Sequence, residues 1–322
     1  MLYLNEKDIL KIGIDWNEIV NELENTVHCL QTNEFSQPIK PYLRYGDPKN
    51  RIIAMPAYVG GNVNIAGIKW IASFPDNINN KLPRAHSVVI LNDANTGKPV
   101  SILNTPMISI IRTASVSSLL IKYYFKARQL KPFNLGIIGW GPIGKHHLKM
   151  CMDLYGEYIN KVFIYDLNPI DAKTIESSYL NKVTIAESWK DVYVDSDVFI
   201  TCTVSKSPYI DIKPKQSSLQ LNVSLRDYKV DIYEYVRRTL IVDDWDEVCR
   251  ENTDIENMHR EKGLLKEDTW SIIDVVCNSI ISRFENTEPV MFNPMGMAVF
   301  DVTVGNYYMK KALELNQGTI LE

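Results

Sequence analysis

The run Asn134-Leu-Gly-Ile-Ile-Gly-Trp-Gly-Pro-Ile-Gly144 constrains the fold more than any other stretch of the chain. Its first six residues read as a buried strand, and a helical pattern follows the last glycine. A G-x-G-x-x-G match means little alone, but between a strand and a helix it has a mechanical reading. Gly139 permits a tight turn, Gly141 lets the backbone approach a pyrophosphate, and Gly144 lets helix and strand pack closely. Pro142 and Ile143 open a helix whose free N–H groups and partial positive charge suit an anion. A second strand, Lys161-Val-Phe-Ile-Tyr-Asp166, ends in an acid placed to hold ribose hydroxyls. These elements predict a dinucleotide site. Asp166 would repel a 2′-phosphate, and Leu167, Asn168 and Pro169 supply no arginine to bind one. NAD is therefore expected over NADP.

Strand-like segments at 134–139, 161–166, 198–203, 218–223 and 239–243 alternate with helical stretches. That rhythm predicts a parallel sheet with helices on both faces. Asp197-Val-Phe-Ile-Thr-Cys-Thr203 ends in hydroxyls, and Thr203 is the expected contributor to the cofactor crevice. In the helix after the glycine turn, Leu148, Met152 and Leu154 are expected to face inward.

The first third reads differently. Trp16, Ile19, Val20, Leu23, Val27 and Leu30 recur at helical spacing, with Asp15 as N-cap. Short β-rich runs follow at 51–55, 65–71 and 87–91, with turns at Gly60-Gly61 and Asn95-Thr96-Gly97. A long helix is expected from Met107 to Ala127, and another from Met297 to Asn316 that returns to the first domain. The fold class is therefore α/β: a Rossmann NAD-binding domain plus a β-rich α+β domain. The expected boundaries are 1–117, completed by 297–322, and 118–296.

Lys69 stands within the otherwise apolar Ala66-Gly-Ile-Lys-Trp-Ile71. A cation there needs an anionic partner or must lose its proton. Arg44, Arg84 and Arg112 are further cations close to apolar strands. A salt bridge to a surface acid and an anionic ligand are the two readings of each.

A net charge of −4 provides no overall positive field for nucleic acid. The five cysteines are scattered with no C-x-x-C pair, so neither a disulfide framework nor a thiolate zinc site is expected. The five histidines form no ligand spacing, and no metal is expected. With no basic-then-apolar leader and no run near ~20 apolar residues, a cytoplasmic protein without membrane attachment is expected.

Several stretches together resemble the ornithine cyclodeaminase and mu-crystallin family over nearly the whole chain. They include Pro41-Tyr-Leu-Arg44, Ala54-Met-Pro56, Gly67-Ile-Lys69, Arg112-Thr-Ala-Ser115, Asn222 to Asp227 and Asn293-Pro-Met-Gly296. The likeness is strongest to a subgroup, the siderophore-pathway N-(2-amino-2-carboxyethyl)-L-glutamate dehydrogenases that make 2,3-diaminopropionate. The resemblance implies that Arg44, Lys69 and Arg112 bind a substrate carboxylate and that Asp227 acts at the reacting nitrogen or carbon. Lys69 is the rival proton carrier. By the same analogy Thr113, Ser115, Met295 and Gly296 lie near the cofactor, the β-rich unit is the substrate and dimerisation domain, and the protein is a homodimer acting on a small amino-acid substrate with several carboxylates. Two departures bear on the reaction. Ile53 stands where cyclodeaminases carry a glutamate, and Arg84 where they carry a threonine. An added guanidinium suits a substrate with more carboxylates than ornithine. Ornithine cyclisation and a non-catalytic, mu-crystallin-like binding role are the alternatives.

Overall fold

The computed structural model describes residues 1–322. In chain order the strands are β1 (Leu2–Asn5), β2 (Phe35–Ser36), β3 (Tyr42–Leu43), β4 (Arg51–Val59), β5 (Ile65–Ser73), β6 (Ala85–Asp93), β7 (Pro99–Asn104), β8 (Phe133–Ile138), β9 (Ile159–Tyr165), β10 (Val183–Ile185), β11 (Val198–Thr201), β12 (Leu219–Asn222), β13 (Leu240–Val242), β14 (Trp270–Ser271), β15 (Val290–Asn293) and β16 (Thr319–Ile320). The helices are α1 (Glu6–Ile12), α2 (Trp16–Gln31), α3 (Met107–Arg128), α4 (Pro142–Tyr155), α5 (Trp189–Asp195), α6 (Tyr233–Val236), α7 (Trp245–Val248), α8 (Asp254–Lys262), α9 (Ile272–Val276) and α10 (Ala298–Glu314). Two compact units result, Met1–Val116 with Met297–Glu322, and Ser117–Gly296.

The first unit is built on a sheet ordered β16-β1-β7-β6-β5-β4-β2, with β3 pairing β4. Apart from β1 beside β7, its neighbours run antiparallel. Alternation sorts the side chains, because successive residues of a strand point to opposite faces. Met55, Lys69, Val89 and Leu103 lie in cross-strand register and are all buried. Helix α10 covers this face closely. A Cβ on Gly67 would meet Val302 Cγ1 at 3.2 Å, and one on Gly305 would meet Val89 Cγ1 at 3.3 Å. On the opposite face Ile68, Ile90 and Ile102 form a row that is only half-buried, and Trp70 is exposed.

The second unit is a Rossmann-type sheet, ordered β10-β9-β8-β11-β12-β15-β13-β14 and parallel throughout. Its central strands are buried on both faces, which is why β8 and β11 are mostly apolar, while β12 buries Gln220 and Asn222 with partners. Strands β10, β14 and β15 have no counterpart in the sequence reading. Val290–Asn293 inserts between β12 and β13, out of chain order, and sets Asn293 beside Val242 in register. Within α4, Leu148 is buried as expected. Met152 and Leu154 are only half-buried, and His147, Met150 and Cys151 take the inner positions instead. The helix starts at Pro142, and that start fixes which face meets the sheet.

Candidate active site

The carboxyl edge of the parallel sheet collects most of the expected residues, as open α/β sheets do at their ligand crevices. Strand β8 runs into Gly139, whose φ of +97° suits only glycine, and a Cβ there would lie 2.5 Å from the Cys202 carbonyl oxygen. A Cβ on Gly144 would lie 2.0 Å from the Gly139 carbonyl oxygen, so strand and helix touch there backbone to backbone. Gly141 is exposed and nothing lies within 4 Å of its Cβ position, which leaves open room over the turn. Helix α4 starts there at Pro142 and has no capping side chain. The amides after Pro142, at Ile143 and Gly144, belong to the first turn, where N–H groups lack intrahelical acceptors. Open space above uncapped amides fits a pyrophosphate. Asp166 closes the turn from β9: its Oδ2 accepts from Trp140 N at 2.7 Å and its Oδ1 from Asn168 N at 2.8 Å.

Asp227 follows β12 and is wholly buried. Thr203 Oγ1 donates to its Oδ1 at 2.5 Å, Ser224 Oγ donates to its Oδ2, and Thr201 Oγ1 lies 2.7 Å from Ser224 Oγ. Burial pushes the Asp227 carboxyl up from its ordinary range, and the hydroxyls only partly offset it. Asp254 supports this loop from the start of α8. Its Oδ2 accepts from Asp227 N at 3.1 Å, Tyr228 N at 3.2 Å and Asn222 Nδ2 at 2.9 Å. Burial raises the Asp254 carboxyl to about 7. Leu225 takes φ +63° within the same loop, its N–H donating to Asn222 Oδ1. A comparable brace holds the turn after β15. Asp243 accepts from Met295 N at 2.9 Å and from Gly296 N at 2.6 Å, and Gly296 has φ +89°. Asn222 Nδ2 also donates to Asn293 Oδ1 at 2.8 Å, tying the two strand ends together.

In the β-rich unit, Lys69 and Arg112 converge on one acid. Lys69 Nζ donates to Asp301 Oδ2 at 2.7 Å, and Arg112 Nε to Asp301 Oδ1 at 3.0 Å. All three side chains are buried. Burial lowers Lys69 to about 7, Asp301 works against that, and Arg112 and Lys40 add to it. Burial works to raise Asp301 as well, but the charges of Arg112 and Lys69 overcome it and hold the carboxyl below its ordinary range.

The other expected residues make different contacts. Arg44 is exposed, with its guanidinium 5.3 Å from the Tyr42 ring centroid and Nη1 donating to Pro48 O at 3.1 Å. Arg84 is half-buried at the entry to β6, where its carbonyl accepts from Phe74 N. The Thr113 hydroxyl donates to Ser109 O at 2.7 Å within its own helix, and Ser115 is buried with no partner for its hydroxyl.

Sequence reasoning missed Asp301, Lys40, Asp243 and Asp254. The signal for Asp301 was present: an acid within the apolar Ala298–Val304 is as anomalous as Lys69 in its strand. Asp254 gave no such signal because it stands among polar neighbours, and Asp243 because an acid just past an apolar strand is ordinary. No group of three or more His, Cys, Asp or Glu is arranged to hold a metal ion, and no helix is long and apolar enough to cross a membrane.

Comparison with known proteins agrees with this architecture. The chain is 34% identical to the N-((2S)-2-amino-2-carboxyethyl)-L-glutamate dehydrogenase of Staphylococcus aureus, across 100% of this chain and 98% of that protein. It is 26% identical to an alanine dehydrogenase of Archaeoglobus fulgidus, across 99% and 97%. Among solved structures, the Δ1-pyrroline-2-carboxylate reductase of Thermococcus litoralis, in complex with NADH and L-proline, superposes with a TM-score of 0.89 at 23% identity, covering both chains entirely. An archaeal alanine dehydrogenase dimer with bound NAD gives 0.86 at 22%, covering 100% of this chain and 99% of that one. At these identities the structural likeness is one of fold. The model of the ornithine cyclodeaminase/mu-crystallin family matches residues 10–316, and the chain belongs to that family.

Proposed function

We propose that this protein is an NAD-dependent dehydrogenase that cleaves N-(2-amino-2-carboxyethyl)-L-glutamate oxidatively. The conjugate, NAD⁺ and water give 2-oxoglutarate, 2,3-diaminopropionate, NADH and a proton. The observation that carries this reading is full-length likeness, at 34% identity, to a protein of that named activity. A chain that has both an open glycine turn and buried cations fits it.

NAD, when bound, supplies the hydride acceptor. Residues Gly139 to Gly144 hold its pyrophosphate, Asp166 its ribose, and Thr203, Met295 and Gly296 border it. Lys69 and Arg112 bind carboxylate, with Arg44 and Arg84 supplying further cations for a substrate rich in carboxylates. Fixing those groups turns binding into orientation. Asp227 takes the proton of the bridging amine as the glutamyl α-carbon is oxidised. It then serves the water that attacks the imine carbon and returns a proton to the departing amine. A raised carboxyl fits that role, since an acid/base works best near the ambient pH. Lys69, ion-paired at 2.7 Å, is assigned to binding. The half-buried row Ile68, Ile90 and Ile102 beside exposed Trp70 is an apolar face suited to a second copy of the chain, hence a homodimer.

The experiment is NADH formation on synthetic carboxyethyl-glutamate, with products identified by mass. Stoichiometric 2-oxoglutarate and 2,3-diaminopropionate are expected. Inertness on the conjugate together with conversion of ornithine to proline and ammonia would reverse the assignment.

A further inference from the structure

Asp301 has no role in the reaction as written, yet it is wholly buried and its carboxylate makes two charged contacts. The close approach of α10 to the sheet at Gly67 lets so short a side chain reach Lys69 on β5. Each oxygen takes one cation: Oδ2 the Lys69 ammonium, Oδ1 the Arg112 Nε–H. A guanidinium offers its donors along two edges. Contact through Nε leaves the Nη1 and Nη2 fork as the second edge, with the geometry that matches a carboxylate. The Lys69 ammonium likewise keeps donors beyond Asp301, one of them 3.4 Å from Ser109 Oγ.

The charges around Lys69 come from three elements: Asp301 on α10, Arg112 on α3, and Lys40 on the segment before β3. Lys69 and Arg112 share this one carboxylate, so Asp301 holds the two cations together without neutralising both. The remaining positive charge calls for a further anion.

We propose that Asp301 is a positioning residue: it sets Lys69 and Arg112 side by side, one on each oxygen, so that a substrate carboxylate meets a preformed cationic pair. This rests on the function proposed above. Without the acid, the neighbouring cations repel Lys69 and favour loss of its proton, and the guanidinium loses the contact that fixes its plane.

The test compares wild type with D301N and D301E. Unaltered NADH affinity, read by fluorescence, certifies that each variant is folded. D301N is expected to raise KM for the conjugate about 10-fold or more while lowering kcat less, as loss of a charge-assisted clamp does. The high-pH limb of kcat/KM, expected near the Lys69 value of about 7, should move to lower pH in D301N, because the charge and hydrogen bond of Asp301 that hold the Lys69 proton are lost. D301E keeps the charge but displaces it by one methylene. It should raise KM and leave the limb in place, and it carries the test alone if D301N does not fold. Wild-type KM in both variants, or a fall in kcat with KM and the limb unmoved, overturns the proposal. If wild type does not turn over the conjugate, the function above fails, and 2-oxoglutarate binding to the NADH-loaded protein, measured by calorimetry, decides this point separately. Binding weakened about 10-fold or more in D301N sustains the positioning role, and equal binding overturns it.

Discussion

Asp227 and Asp301 are the same residue, equally buried, one in each unit, yet their carboxyls are displaced in opposite directions. The Asp227 oxygens meet neutral dipoles, the hydroxyls of Thr203 and Ser224, and the Arg226 charge is a smaller influence. Dipoles soften desolvation but do not cancel it, so its proton is held more tightly than usual. Asp301 meets full charges on both oxygens and stays ionised. Burial alone therefore does not define a titrating acid. The partner decides: hydroxyls leave a carboxyl that holds its proton to higher pH than usual, whereas cations fix its charge and make it part of the framework.

Stability should separate the two acids most widely. D301A leaves Lys69 and Arg112 buried against each other, and removal of one member of a buried ion cluster costs about 3–5 kcal/mol. D227N should act the other way. A carboxyl whose folded pKa is raised loses stability as pH climbs from its ordinary 3.8 through the folded value, so above that value ionised Asp227 opposes folding. The amide removes that opposition, and D227N is expected to unfold in urea at or slightly above the wild-type midpoint. Equal destabilisation by the two substitutions would erase the contrast. Turnover should rank them in the opposite sense. D227N is expected to lose about 100-fold or more in kcat with NAD affinity intact, which follows if proton transfer is the lost step. Near-normal kcat would remove Asp227 from the chemistry and leave its raised carboxyl as a by-product of burial.

The two sites were unequally legible in the sequence. The glycine turn could be read because its constraints are local: a positive φ at Gly139 and a close approach at Gly144 demand glycine within a few residues of a strand. Helix α2 declared itself by period and by its start at Asp15. Lys69 stood out as a charge in an apolar run, but its partner is 232 residues away, and no local pattern links them. Strand β15 escaped because Val290–Asn293 is four residues long and joins the sheet between strands that precede it in the chain. Asp243 and Asp254 escaped because their task is to accept backbone N–H groups of distant turns. That task leaves no signature in composition or spacing.

The smallest expected effect is also the sharpest probe of the contrast, since it changes a dipole and leaves every charge in place. Thr203→Val keeps the shape of the side chain and removes the hydroxyl that donates to Asp227 Oδ1 at 2.5 Å. That hydrogen bond favours the ionised carboxylate, so its loss should raise the Asp227 carboxyl further. A base must be ionised to act, and activity falls as pH drops through its pKa. The acidic limb of kcat/KM should therefore move to higher pH in the valine variant, by up to about one unit, the scale of one neutral hydrogen bond of about 1 kcal/mol. The high-pH limb assigned to Lys69 should stay where it is, because Thr203 is absent from the groups that act on Lys69. Movement of the acidic limb alone would show that neutral dipoles tune Asp227. An unmoved acidic limb would mean that the group titrating there is not Asp227, and the comparison would lose its functional half.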